Sequence, residues 1–174
     1  MTTTPIAPTG SRQTRHGTSY VVYTRTFRAP IDDVWAAVTE PDRLVRWVGT
    51  WDGDPKQGYV DFRMTAEGED CPAEIYHIDT CEAPHRLVVH SSSGEAAEAD
   101  FVWRLELDLV EEAGVTTLTF AQMMSDPAIA ESVGPGWDYY LDRLVAAATA
   151  GDVAAIDFDD YYPAQAEHYR AEFS

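Results

Sequence analysis

A proline between two glycines introduces the chain's clearest amphipathic helix, and that helix limits what the other residues can fold into. From Gly134-Pro135-Gly136-Trp137 to about residue 150, Trp137, Tyr140, Leu141, Leu144 and Ala148 recur at i, i+3, i+4, i+7 and i+11. That spacing builds one apolar face of a 3.6-residue period. Asp138, Asp142 and Arg143 are expected on the opposite, solvent side. Pro135 suits a first helical turn, and Gly151 suits a stop just past the end. Nearly everything before this helix reads as strand, so the helix is what the strands must cover.

Residues 18–28 are rich in Tyr, Val, Thr and Phe and read as the first strand, ended by Ala29-Pro30. Asp32 and Asp33 then mark a helix N-terminus, and Thr39-Glu40-Pro41-Asp42 predicts a second short helix capped by Thr39. From Thr50 the period changes to two. Val60, Phe62 and Met64 alternate with Asp61, Arg63 and Thr65, so the even positions are expected inward and Arg63 outward. A strand over 73–81 follows, its inward face undecided, then one over 86–90. Phe101, Trp103, Leu105, Leu107 and Leu109 alternate most clearly of all, and after Glu112-Ala113-Gly114 come Leu118, Phe120, Gln122 and Met124 on one face. Strand, two short helices, a meander of about five strands and a long helix make an α+β domain whose antiparallel sheet has one covered face.

The boundaries read as a disordered segment over 1–17, a domain over 18–151, and an acidic aromatic tail over 152–174 packed on the domain. Length allows one domain with a core. A net charge of −18 (12 basic against 30 acidic residues) excludes a nucleic-acid partner and a membrane-surface role, since phosphates and anionic headgroups would be repelled. No apolar run approaches a membrane span, and no signal peptide is recognisable, so a cytoplasmic protein is expected. Cys71 and Cys81, without a CxxC partner, are expected as reduced thiols.

Residues 25–30 (RTFRAP), followed by Val34-Trp35, Thr39-Glu40-Pro41, Arg46-Trp47, residues 84–88 (PHRLV), residues 117–120 (TLTF) and Gly136-Trp137 with Leu141 and Leu144, resemble the START-like helix-grip (SRPBCC) superfamily in its AHSA-type branch. These are homologues of an activator of a heat-shock chaperone ATPase. The resemblance implies a curved antiparallel sheet gripping the C-terminal helix around a hydrophobic cavity. Three functions come with it: binding of a small hydrophobic molecule, polyketide cyclase or aromatase-like catalysis, and interaction with a chaperone. Many relatives close the strand equivalent to 117–122 with a histidine. Here Gln122 stands there, an amide that hydrogen-bonds but does not titrate near neutrality.

The candidate ligand-binding residues are Trp47, Phe62, Met64, Phe101, Trp103, Phe120, Gln122, Trp137, Tyr140, Leu141 and Leu144. His77 and His90, with Asp79 or Glu74, fall on neighbouring strands, but their spacing is not a metal signature. No catalytic residue, metal or cofactor is assigned; neither GxSxG nor HExxH occurs. Binding of a small hydrophobic molecule is therefore the expected function.

Overall fold

The computed structural model describes residues 6–68, 70–92, 102–124 and 126–174. In chain order the elements are β1 (Ser11–Arg15), β2 (Thr18–Phe27), α1 (Ile31–Thr39), α2 (Pro41–Leu44), β3 (Thr50–Asp52) and β4 (Tyr59–Arg63). Then follow β5 (Glu74–Glu82), β6 (Arg86–Ser92), β7 (Val102–Glu112), β8 (Val115–Met123), α3 (Ala130–Ala148) and α4 (Ala166–Glu172). The strands form one curved antiparallel sheet in the order β1-β2-β8-β7-β6-β5-β4-β3. Because β2 and β3 lie near opposite ends of it, α1 and α2 carry the chain across the sheet, and α3 lies along the same face. This is the helix-grip arrangement.

Alternation fixes which face is covered. In β7 and β8, Leu107 stands opposite Phe120 and Leu109 opposite Leu118, all buried. With Val21, Tyr23 and Phe27 of β2, Val34 of α1, and Leu141 and Leu144 of α3, they make the sealed part of the core. The other face carries charge. Glu106, nearly buried, receives Arg86 at 2.9 Å, and Asp79 lies 3.1 Å from Arg104. Burial works to raise the Glu106 carboxyl, but Arg86, Tyr20, Arg104 and Arg15 outweigh it and hold it below the usual carboxylate range.

Four features differ from expectation. Eight strands replace about six, because β1 and β3 are short and polar and give no apolar alternation. β1 falls in the segment expected to be disordered. It pairs with β2 through the two-residue turn His16-Gly17, both at positive φ, where Gly17 supplies the left-handed backbone such a hairpin needs. Thr39 ends α1, its hydroxyl donating to the Trp35 carbonyl at 2.7 Å, and Glu40 holds the N-cap position of α2. Finally, α3 starts earlier than Gly134. The Asp126 carboxylate accepts from the Ala128 N–H and starts a 3-10 turn (Pro127–Ile129) that runs directly into Ala130. Pro135 therefore lies within the helix, where it removes one N–H from the ladder.

Asp138 also departs from its expected place in solvent. It is 1% exposed and faces the chain termini. The Thr9 N–H donates to it at 3.2 Å and Arg25 at 3.0 Å, and the hydroxyls of Thr9 and Tyr169 donate as well. The Tyr23 hydroxyl donates to the Gly134 carbonyl at 2.8 Å, and Tyr161 donates to Asp142 at 2.7 Å. The N-terminal segment, β2, α3 and α4 are thus joined at one buried carboxylate. Gly134 is part of the same fit, because a Cβ there would lie 2.2 Å from the Tyr169 ring.

Two predictions follow from this junction. Gly134→Ala should destabilise the protein by about 1–3 kcal/mol in urea unfolding, through overpacking against Tyr169. The second concerns alkaline pH. Burial, reinforced by Asp138 or Asp142, raises the Tyr23, Tyr161 and Tyr169 hydroxyls well above their ordinary value. A group raised on folding contributes stability below its unfolded pKa, about 10 here, and loses it as pH rises beyond that. Stability should therefore fall above pH ~10 by about 1.4 kcal/mol per pH unit for each such tyrosine. In thermal scans against pH, Tyr169→Phe should make that fall shallower.

Candidate functional site

Beside the contacts that α3 makes with β2 and β8 lies a cavity of about 780 Å³, bounded by α1, α2, α3 and the inner faces of β3 to β8. Its wall is aromatic. The chain has five tryptophans, Trp35, Trp47, Trp51, Trp103 and Trp137, and all five line it. Three are held by their indole N–H groups: Trp47 donates to the Ala37 carbonyl at 2.9 Å, Trp51 to the Thr39 carbonyl at 2.8 Å, and Trp137 to the Gln122 side chain. An indole whose polar atom is satisfied in the wall can offer its carbon surface to a ligand without a desolvation cost.

Alternation explains most of the lining. Val60, Phe62 and Met64 come from β4 and its end, Trp103, Leu105 and Leu107 from β7, Phe120 from β8, and Trp137 and Tyr140 from α3. In β5 the parity changes. Tyr76 and Ile78 face inward, then the register with β6 shifts between Ile78 and Thr80, and Cys81 becomes the next inward residue. Such a bulge re-aims the side chains that follow it. Two consecutive parities within one strand leave no single pattern to read.

Of the eleven candidate residues, Trp47, Phe62, Met64, Trp103, Phe120, Trp137 and Tyr140 line the cavity. Leu141 and Leu144 are fully buried in the sealed core beside it. Gln122 is 1% exposed and stands behind the wall, accepting from Trp137. Phe101 lies outside the described residues. Sequence reasoning missed Trp35, Trp51, Tyr76, Tyr139 and Phe158. For Tyr76 the alternation of β4 gives no signal, because parity does not carry from one strand to the next and β5 changes its own. Phe158 gives none, because it reaches the cavity from the tail, with its ring 5.4 Å from Tyr139 and 5.9 Å from Tyr162.

Few polar groups reach the wall: Glu74, Tyr76, Tyr139, Tyr140, Thr39, Ser132 and Cys81. Burial, helped by the Glu74 charge, pushes the Tyr76 phenol up to about 12, so it is a neutral hydrogen-bonding group at physiological pH. Ser91 faces Tyr76 across the β5–β6 register. Its buried hydroxyl pulls slightly the other way yet has no partner at hydrogen-bond geometry among the described residues. Arg143 braces the wall from behind, donating to the Trp47 carbonyl at 3.0 Å and lying 5.3 Å from the Tyr139 ring.

The histidines fall elsewhere. His77 and His90 stack at 4.9 Å, and His90 lies 2.7 Å from Asp79. By strand alternation with Tyr76, Ile78, Leu87 and Val89, this group sits on the charged face of the sheet, away from the cavity. Among the described residues no three His, Cys, Asp or Glu side chains are placed to hold a metal ion. No helix among them is long and apolar enough to cross a membrane.

A family model described as Activator of Hsp90 ATPase homolog 1-like protein matches residues 28–149. No curated protein matches. Among solved structures, CalU16 from Micromonospora echinospora is similar at 24% identity and a TM-score of 0.72, over 96% of this chain and 97% of that one. A conserved protein of unknown function from Enterococcus faecalis is similar at 19% identity and a TM-score of 0.67, over 94% and 89%. DynU16, described as a protein in the dynemicin biosynthetic locus, gives 21% identity and a TM-score of 0.55, over 77% of this chain and 49% of that one. At these identities the likeness is one of fold.

The Trp137–Gln122 bond generates a direct test. Trp137→Phe keeps the ring but leaves the buried Gln122 carbonyl without its donor. It should cost about 1–3 kcal/mol in urea unfolding.

Proposed function

The chain belongs to the Activator of Hsp90 ATPase homolog 1-like family, and from that premise we propose that it binds a small hydrophobic molecule in the cavity between the sheet and α3. One observation carries this reading: all five tryptophans converge on a single space that the protein leaves unfilled. Interiors are normally packed to crystal density. A wall of five indoles, three of them with the N–H satisfied, around a gap of this size is the chemistry of a site for a flat apolar ligand. Burial supplies the affinity at about 25 cal/mol per Å² of apolar surface, so ~300 Å² gives roughly 7 kcal/mol before the costs of association. Tyr76 would orient the ligand through a hydrogen bond.

A second reading, catalysis of the cyclase kind, draws on the superfamily resemblance and on the presence of Tyr76 beside Glu74 in the wall. A phenol with its pKa pushed up to about 12 would serve as a donor rather than a base. It would polarise a carbonyl, not abstract a proton. The wall residues offer no nucleophile–base pair beyond these groups, and the binding reading needs none.

The test is energy transfer from tryptophan to the neutral probe 4-(1-pyrenyl)butan-1-ol. A Cβ on Gly136 would meet nothing within 4 Å, and Gly136 lines the cavity. Gly136→Leu should therefore plug the site while leaving thermal stability equal or higher, and weaken probe binding about tenfold or more. Trp103→Ala should weaken it by a similar factor through loss of ring contact. Undiminished binding by a folded Gly136→Leu protein would place the probe elsewhere.

A further inference from the structure

We infer that the cavity selects by charge, accepting aromatic ligands that carry a protonated amine and rejecting those that carry a carboxylate. This rests on the binding reading above and adds the class of ligand. Among the described residues the wall contains no Arg, Lys or His, and its single charged side chain is Glu74. Arg143, the guanidinium behind the wall, is committed to the Trp47 carbonyl and the Tyr139 ring and hydroxyl. Lys56 and Arg63 neighbour wall residues in sequence, but both are exposed and neither contributes to the lining. Residues 93–101, which lie outside the described part, contain three acids and no base in their sequence.

A carboxylate moved into such a site would lose its water and find no cation in exchange. An ammonium meets the opposite conditions. Tryptophan and tyrosine faces attract a cation through their ring quadrupoles, and the wall has five of the first and three of the second. Glu74 gives the amine a place. It stands opposite Phe62 in the β4–β5 register, two residues before Tyr76 on the same face of β5, and it is exposed at that end of the cavity. The ligand would therefore lie with its rings among the tryptophans and its amine at the β4–β5 end, between the Glu74 carboxylate and the Tyr76 phenol. The chain's net charge of −18 favours the approach of the same class of molecule.

Three probes with one ring system and one tether separate the effects: 4-(1-pyrenyl)butylamine, 4-(1-pyrenyl)butan-1-ol and 4-(1-pyrenyl)butanoate, each titrated by energy transfer from tryptophan at about 0.15 M salt. The amine should bind about tenfold or more tightly than the carboxylate, with the alcohol between them. Equal or tighter binding of the carboxylate overturns the inference while leaving the pocket intact. Failure of all three probes, the alcohol included, removes the binding reading and this inference with it. Glu74→Gln should reduce the preference for amine over alcohol by about threefold, while Glu111→Gln, an exposed acid at the end of β7, should leave it unchanged. Equal loss in both variants would assign the preference to overall charge and overturn the role given to the wall.

Discussion

The buried Asp138 carboxylate is the interaction on which the position of the long helix depends. A charge taken out of water is tolerated only when it is paired and hydrogen-bonded. Asp138 meets that demand with groups from three separate parts of the chain: Thr9, Arg25 and Tyr169. Removing any one of them would leave the others desolvated, so the N-terminal segment, β2 and α4 are fixed to α3 together. Leu141 and Leu144, wholly buried, press the following turns of the helix onto the sheet.

That clamp holds one side of the helix while another side borders an open space. Its remaining face, with Val133, Gly136, Trp137 and Tyr140, looks into the cavity. A gap lined by mobile side chains would tend to collapse, since the lining atoms lose contacts they could make. Here Trp47, Trp51 and Trp137 are tied by their N–H groups, and Arg143 holds Trp47 and Tyr139 from behind. The wall is stiff because its polar atoms are satisfied away from the space they surround. Affinity for a ligand then comes from apolar area, and selectivity from the few polar groups left at the edge.

Much of this was legible in the residues. Period-two alternation placed Phe62, Met64, Trp103 and Phe120 inward, and the helical period placed Trp137 and Tyr140 beside them. The helix-grip architecture followed from element order together with the family resemblance. What was not legible has physical causes. β1 is a polar edge strand held by backbone pairing, so it carries no apolar signal. Asp138 looks like a solvent residue because its partners come from distant parts of the sequence. β5 changes parity at a bulge that its composition does not announce. Pro135 suggested a helix start, yet the preceding 3-10 turn set by Asp126 begins the helix sooner. Phe158 reaches the wall from a tail whose alternating acids and aromatics fit any packed or exposed arrangement equally well.

The central claim is that the space between α3 and the sheet is a ligand site. It is tested most directly by following the five tryptophan indole N–H signals in ¹H–¹⁵N NMR spectra while 4-(1-pyrenyl)butan-1-ol is added. All five residues line the cavity, so the account predicts that all five signals shift together, along one saturating curve with a single site per chain. Shifts confined to residues of the charged sheet face, with the five indoles unmoved at saturation, would contradict it.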